Sequence, residues 1–233
     1  MDKILITGGG GSLGKELIKQ GCDNFNIIHP TSESMNILDI KVIEDFVLLH
    51  KPKYLIHSAA ITKLISGDDV VNAINVNIIG TSNIVKICKK HNIKLIYIST
   101  DYVYPCGSKD VGEESGLQPM NSYGWSKLGG ECSVQMYSNS LILRLSFIDN
   151  PFPYDVGPTN IIRNVQYIDV VSKTVLFVLN EVGVLNVGGD EIKSMYQLGL
   201  ETNPNIQPTV VGDSLAEEKS ITLDISKLKK LKL

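Results

Sequence analysis

The chain has 233 residues, 43% apolar and 20% charged, with a formal net charge of −3, a composition ordinary for one large globular domain or one domain with a smaller lobe. That charge balance offers no electrostatic case for a nucleic-acid partner or an anionic membrane, and no apolar run is long enough to span a bilayer. Cys22, Cys88, Cys106 and Cys132 form no CxxC pair and no Cys/His cluster, so neither a metal site nor a disulfide framework is expected, and a reducing, cytoplasmic setting is.

Lys3–Thr7 reads as a buried strand with no charged-then-apolar leader before it, and Ser12–Gln20 as the helix that follows. Phe25–His29 is a second short strand and Ile37-Leu38-Asp39 a third, shorter one. Lys41–His50 reads as a helix closed by Pro52, and Tyr54–Ser58 as the next strand. Asp68–His91 reads as one long helix, with Val70, Val71, Ile74, Ile78, Ile84, Val85 and Cys88 spaced as its apolar face. Lys94–Ser99 and Leu141–Leu145 are further strands, with a helix around Tyr123 between them. This alternation predicts an α/β fold: a Rossmann-like, doubly wound parallel sheet covered on both faces.

After Leu145 the pattern loosens. Asn150-Pro151-Phe152-Pro153 and Gly157-Pro158 mark loops. Asp169–Asn180 reads as a helix with Asp169 as its N-cap, Gly183–Val187 as a strand, and Ser194 as the cap of a short helix running to about Glu201. The Lys227–Lys232 run reads as a solvated terminal helix. The expected division is a core over 1–146 and a small C-terminal substrate-binding lobe over 147–233, with about 161–190 returning to the core.

Two motifs carry chemistry. Gly8, Gly11 and Gly14 fall between an apolar strand and a helix, where a tight turn, a close backbone approach and free N–H groups at a helix start cradle a dinucleotide pyrophosphate. A plain glycine-rich turn would need neither the strand nor the helix. The second strand ends His29-Pro30-Thr31-Ser32 with Glu33 beyond. Glu33 reads equally as a solvated residue or as the acid that grips the ribose of NAD; no Arg is there for the phosphate of NADP, but the hydroxyls of Thr31 and Ser32 could bond it and tilt the reading to NADP, with NAD as the alternative.

The second motif is Tyr123-Gly124-Trp125-Ser126-Lys127, with Tyr and Lys on one helix face. Alone, that spacing marks an ordinary surface pair. Beside a nicotinamide, Lys127 would lower the Tyr123 pKa and hold the ribose, and Tyr123 would protonate a carbonyl oxygen as hydride arrives at its carbon. A hydroxyl at a strand end, Ser99 or Thr100, could polarise the same carbonyl.

These residues resemble the extended short-chain dehydrogenase/reductase superfamily, and within it look most like the dTDP-4-dehydrorhamnose reductase family, from Lys3 to about Ser146. The resemblance runs through Thr7-Gly8-x-x-Gly11-x-x-Gly14, Leu38-Asp39-Ile40, Ser58-Ala59-Ala60-Ile61-Thr62 and Val76-Asn77-x-x-Gly80-Thr81-x-Asn83-Ile84. It continues through Ser99-Thr100-Asp101-Tyr102-Val103-Tyr104, Tyr123-Gly124-x-Ser126-Lys127-Leu128-x-Gly130-Glu131 and Leu143-Arg144-x-Ser146. It implies Thr100, Tyr123 and Lys127 as the catalytic set. It implies Gly8, Gly11, Ser12, Leu13, Gly14, Asp39, Ile40, Ala59 and Ala60, with Tyr123 and Lys127, around the cofactor, and Thr62, Thr100 and Asp101 toward substrate. Asp39 would equally cap the next helix, Ala59 and Ala60 would equally be core alanines, Asn77 would equally brace the scaffold, and Arg144 reads as a structural ion pair.

The implied activity is NAD(P)H-dependent reduction of a nucleotide-linked 4-keto-6-deoxy sugar. Thr100-Asp101-Tyr102 lacks the glutamate that sugar-nucleotide dehydratases of the superfamily usually carry third, which points to simple reduction. A 4-epimerase uses the same tyrosine, and a non-catalytic cofactor-binding regulatory subunit has precedent among relatives, so both stay open. The apolar Asp68 and Tyr123 helices could pair across a homodimer. The chain is shorter than most members of this family, and the loss falls after Ser146, where the sugar-nucleotide pocket is built.

Overall fold

A computed structural model describes residues 1–62 and 69–231. The strand β1 (Lys3–Thr7) leads through the glycine turn into the helix α1 (Ser12–Gly21), then β2 (Asn26–Ile28), α2 (Ile40–His50) and β3 (Tyr54–His57). Next come α3 (Asp69–Ala73), a π-helical turn over Ile74–Gly80, α4 (Thr81–His91), β4 (Lys94–Thr100), a 3-10 turn over Asp101–Val103, α5 (Ser122–Val134) and β5 (Ser140–Leu145). The later elements are β6 (Phe147–Ile148), β7 (Val156–Pro158), β8 (Ile162–Arg163), β9 (Gln166–Tyr167), α6 (Ile168–Phe177), β10 (Gly183–Val187), β11 (Lys193–Ser194), α7 (Met195–Leu200), β12 (Gln207–Thr209), α8 (Asp213–Lys219) and α9 (Ser226–Leu231).

Six strands form one parallel sheet in the order β10-β5-β4-β3-β1-β2. Because side chains alternate along a strand, each strand feeds two cores. Ile4 and Ile6 pack with Leu13 and Leu17 of α1 and Val171 and Val175 of α6 on one face. Leu5 packs with Ile43, Val47, Ile84, Cys88 and Val134 of α2, α4 and α5 on the other. The sheet is a Rossmann-like doubly wound sheet. Its strand order reverses between β1 and β3, so the carboxyl ends of those strands part and leave a crevice.

A third, smaller core of Phe152, Val165, Tyr167, Leu198 and Ile206 gathers the late segments. Around it lie three two-stranded pairs, β11-β8, β12-β7 and β6-β9. No helix among the described residues is long and apolar enough to cross a membrane.

Three expectations change. Ile37-Leu38-Asp39 is a turn, not a strand: Asn36 Oδ1 accepts from Leu38 N at 2.9 Å, and Asp39 caps α2. The Asp68–His91 helix, whose first residue lies outside the described residues, is not continuous. The π-turn inserts an extra residue and rotates the apolar stripe, so Ile84, Val85 and Cys88 are buried while Val70, Val71 and Ile74 are exposed. Finally, α6 starts one residue before Asp169. That carboxylate sits in the first turn and accepts from Asn150 Nδ2 at 2.9 Å instead of capping.

Candidate active site

The crevice at the strand ends is a cavity of about 1320 Å³. Its floor is the glycine turn. Gly8 sits at φ +75°, and a Cβ there would lie 2.6 Å from Ala59 N. A Cβ at Gly14 would meet Gly8 O, so α1 packs on its strand only because that position is bare. Around Gly10 there is open space, and Gly11 is the N-cap of α1 with no side-chain cap, which leaves the first N–H groups of the helix to an anion. This cradle fits a dinucleotide pyrophosphate.

Of the residues expected around a cofactor, Gly8, Gly11, Ser12, Leu13, Gly14, Ala59, Ala60, Tyr123 and Lys127 all line the cavity, as do Thr62 and Thr100. Asp39 and Ile40 do not. The Asp39 carboxylate is committed to the N–H groups of Lys41 (3.0 Å) and Val42 (3.2 Å), and Ile40 is exposed. Met35, Asn36 and Ile37 from the same segment reach the lining instead, with His29, Thr31 and Ser32 from the end of β2.

The catalytic candidates arrive on two elements. Thr100 ends β4 opposite Leu145 of β5. Tyr123 stands in the first turn of α5, whose N-cap Asn121 accepts from Gly124 N at 2.8 Å. A Cβ at Gly124 would run into Tyr102 O, so the missing side chain lets α5 close on the 3-10 turn that follows Thr100. Lys127 is buried, with its Nζ 4.1 Å from the centre of the Tyr97 ring, and Tyr97 OH donates to Lys127 O at 3.1 Å.

The electrostatics differ from the sequence expectation. Burial, then the charges of Asp101 and Tyr102, push the Tyr123 phenol up from its ordinary value; no lowering by Lys127 is among the causes. Burial pulls Lys127 itself down to about 7, against the upward pull of Glu131. The groups of the protein alone do not prepare a phenolate.

A buried polar network holds these elements in register. Asn77, in the π-turn, accepts from Ile61 N (2.8 Å) and donates to Ile61 O (2.9 Å) and to Ser126 Oγ (2.8 Å). Ser126 Oγ in turn donates to Tyr123 O at 2.7 Å. The irregular turn thus ties the Ala59–Thr62 wall to the tyrosine helix, which gives Asn77 a bracing role. His57 lies between Thr7 Oγ1 (2.6 Å) and Thr81 Oγ1 (3.0 Å), and burial brings its pKa down to about 3. Glu131 of α5 and Arg144 of β5 form a buried ion pair at 2.9 Å, as the structural reading of Arg144 requires.

Asp101 is the correction on the substrate side. It is buried, is absent from the cavity lining, and is paired with Arg163 of β8. Arg163 also donates to Ser146 Oγ (3.2 Å) and to Tyr102 OH (3.3 Å). Nothing in the sequence marks Arg163, which belongs to a two-residue strand in the segment with the weakest periodicity. Among the described residues no group of three or more His, Cys, Asp or Glu is placed to hold a metal ion.

The model of the family described as RmlD substrate binding domain matches residues 1–166. Over 152 residues the chain is 30% identical to a dTDP-4-dehydrorhamnose reductase of Aggregatibacter actinomycetemcomitans, covering 63% of this chain and 52% of that one. Over 157 residues it is 31% identical to the methionine adenosyltransferase 2 subunit beta of Xenopus laevis, covering 61% of this chain and 46% of the relative. The chain therefore spans about half the length of these curated relatives. A crystal structure of a dTDP-4-dehydrorhamnose reductase from Bacillus anthracis in complex with NADP superposes with a TM-score of 0.87 at 21% identity, covering 99% of this chain and 92% of that one, a likeness of fold.

Proposed function

The chain belongs to the RmlD substrate binding domain family, and from that premise we propose that it is an NAD(P)-dependent oxidoreductase that reduces the 4-keto group of a nucleotide-linked 6-deoxy sugar. The observation that carries this reading is the meeting of Thr100, Tyr123 and Lys127 with the glycine cradle in one cavity. Relatives named as reductases of such sugars, and one neighbour solved with NADP, support it.

In this reading Gly8–Gly14 and the start of α1 hold the pyrophosphate, and Ala59 and Ala60 wall the adenosine side. The hydroxyls of Thr31 and Ser32 at the β2 end favour NADP over NAD. When bound, the nicotinamide supplies the hydride. Tyr123 donates its phenolic proton to the carbonyl oxygen as the carbon is reduced, and Thr100 Oγ1 orients that oxygen. Lys127, in reach of the cavity but otherwise buried, holds the ribose hydroxyls. With the oxidised cofactor present, the positive nicotinamide adds the downward influence on Tyr123 that the surrounding protein groups lack.

The test is NADPH and NADH oxidation by purified protein with a panel of dTDP-, UDP- and GDP-linked 4-keto-6-deoxy sugars. Oxidation that requires one of these sugars is expected. Tight cofactor binding with no turnover across the panel would overturn the reading. That result would favour a second one, a cofactor-binding subunit of another enzyme, which the relatives named methionine adenosyltransferase 2 subunit beta make specific.

A further inference from the structure

We infer that Tyr97 is the positioning residue for Lys127: its ring face seats the ammonium in a buried place and leaves the N–H donors free to face the cofactor cavity. The inference rests on the reading of Lys127 as the residue that holds the ribose, and deepens it.

The geometry joins the two residues at both ends. Lys127 Nζ stands 4.1 Å from the centre of the Tyr97 ring, and Tyr97 OH donates to Lys127 O at 3.1 Å. Tyr97 is wholly buried in β4, three residues before Thr100, so one strand carries both the expected carbonyl-orienting hydroxyl and the seat of the lysine. The ring is fixed from two sides. A Cβ at Gly130 would lie 2.3 Å from Tyr97 OH, so that bare position on α5 is what admits the hydroxyl. The His57 ring lies 5.8 Å away, centre to centre, and is itself held between Thr7 and Thr81.

The surroundings give this contact a chemical consequence. Among the described residues no carboxylate and no hydrogen-bond acceptor meets the Lys127 ammonium. Glu131, one helical turn on, is turned to Arg144 at 2.9 Å and accepts from Ser99 Oγ. His57 comes from β3, Tyr97 from β4, and Tyr123 lies one turn earlier on α5. The π-turn packed on α5 carries no titratable side chain, the lysines of α4 are exposed, and Asp101 and Tyr102 of the 3-10 turn act on Tyr123. The ring is therefore the group in direct contact that offsets burial, through the negative face of its π-system. A carboxylate in that place would take up N–H donors and draw them from the cavity that Lys127 lines, whereas an aromatic face stabilises the charge without taking one. Burial brings Lys127 down to about 7, against the upward pull of Glu131, so a modest contribution decides how much of it is charged near neutral pH.

The experiment follows the Lys127 charge directly, in protein labelled with carbon-13 at the lysine Cε, whose chemical shift reports protonation. Lys127→Met identifies the signal by its loss, and the titration needs neither cofactor nor substrate. Tyr97→Phe keeps the ring and should titrate near the parent. Tyr97→fluorophenylalanine and Tyr97→pentafluorophenylalanine keep the ring's shape while draining its negative face. The Lys127 midpoint should fall stepwise along that series, by about one unit at full fluorination, the size that a desolvated cation–π contact supplies. From a parent midpoint of about 7, that leaves about fivefold less ammonium at neutral pH. Tyr97→Leu should match the fully fluorinated ring, and the fluorinated series carries the comparison even if Tyr97→Leu folds poorly. A midpoint that stays put along the series, or one that falls as far in Tyr97→Phe as at full fluorination, would overturn the inference. NADPH affinity of the same proteins, read by its fluorescence at neutral pH, is scored separately and should weaken in step with the lost charge. A falling midpoint with unchanged NADPH affinity would leave the seat standing and sink the reading of Lys127 at the ribose.

Discussion

The two halves of this molecule are held by different forces. Up to Leu145 the chain is a layered sheet whose strands, apart from the edge strand β2, are buried on both faces, with two apolar cores and helices docked by periodic stripes. From Phe147 onward the strands run two or three residues, apart from β10; α6, β10 and the stretch from Ile221 to Leu228 join the first large core, and the remaining late segments share one small core of five buried residues. The late region is also held by single polar side chains. Asn164 bonds both the N–H and the C=O of Leu223 at 2.9 Å, and Asn186 donates to Val111 O at 2.9 Å and accepts from Tyr104 OH at 2.8 Å. A sheet core tolerates sequence change within its pattern, whereas a region stapled by individual amides depends on particular residues.

The sharpest way to break the first half is at the buried Glu131–Arg144 ion pair. Glu131 accepts from Arg144 and from Ser99 Oγ, so Glu131→Ala strands a guanidinium that is nearly inaccessible to water. A loss of about 3–5 kcal/mol is expected, seen as a lower denaturant midpoint for the whole sheet. A drop confined to the late region would show that the pair serves that region instead. Next, Tyr123→Phe keeps the ring and removes the proposed proton donor. Turnover should fall about a thousandfold, roughly 4 kcal/mol in the barrier, with NADPH affinity unchanged. Full activity would refute the assignment of the acid.

Legibility followed the same divide. β1, β3, β4, β5 and β10 could be read from runs such as Tyr54–His57 because a strand buried on both faces must be continuously apolar. The cradle was legible because only glycine fits at Gly8 and Gly14. The π-turn was not, because its signal is one extra residue in an otherwise helical stripe, and what fixes it is Asn77 reaching the Ile61 backbone. Asp39 read equally as cofactor contact or helix cap, and two backbone N–H groups decide for the cap. Arg163 had no readable signal, since its meaning lies entirely in a tertiary partner 62 residues earlier.

A pH experiment separates the halves again. His57 is buried in the sheet, and burial followed by the charge of Lys127 lowers its pKa from 6.5 to about 3. Between those values the unfolded chain takes up a proton that the folded chain refuses. Stability should therefore be complete above pH 6.5 and fall toward pH 3, by about 1.4 kcal/mol per pH unit from this group. His57→Gln, which can still bond the hydroxyls of Thr7 and Thr81, should flatten that part of the acid slope in chemical denaturation. An unchanged slope would mean that the acid sensitivity lies in other groups.

The smallest expected effect tests whether the late region opens independently. Ser194 caps α7 with a reciprocal pair: its Oγ accepts from Gln197 N at 3.1 Å, while Gln197 Oε1 accepts from Ser194 N at 2.9 Å. Helix α7 is six residues long, too short to persist on propensity alone, so its cap and the contacts of Leu198 hold it. Ser194→Ala should cost about 1 kcal/mol. If the two halves are separable, that loss will speed hydrogen exchange in α7 and β12 and leave the protection of β3 and β4 unchanged, because local openings draw only on local stability. If exchange rises equally across the central sheet, the small core and the large ones unfold as one cooperative unit, and the division drawn from their packing does not extend to their dynamics.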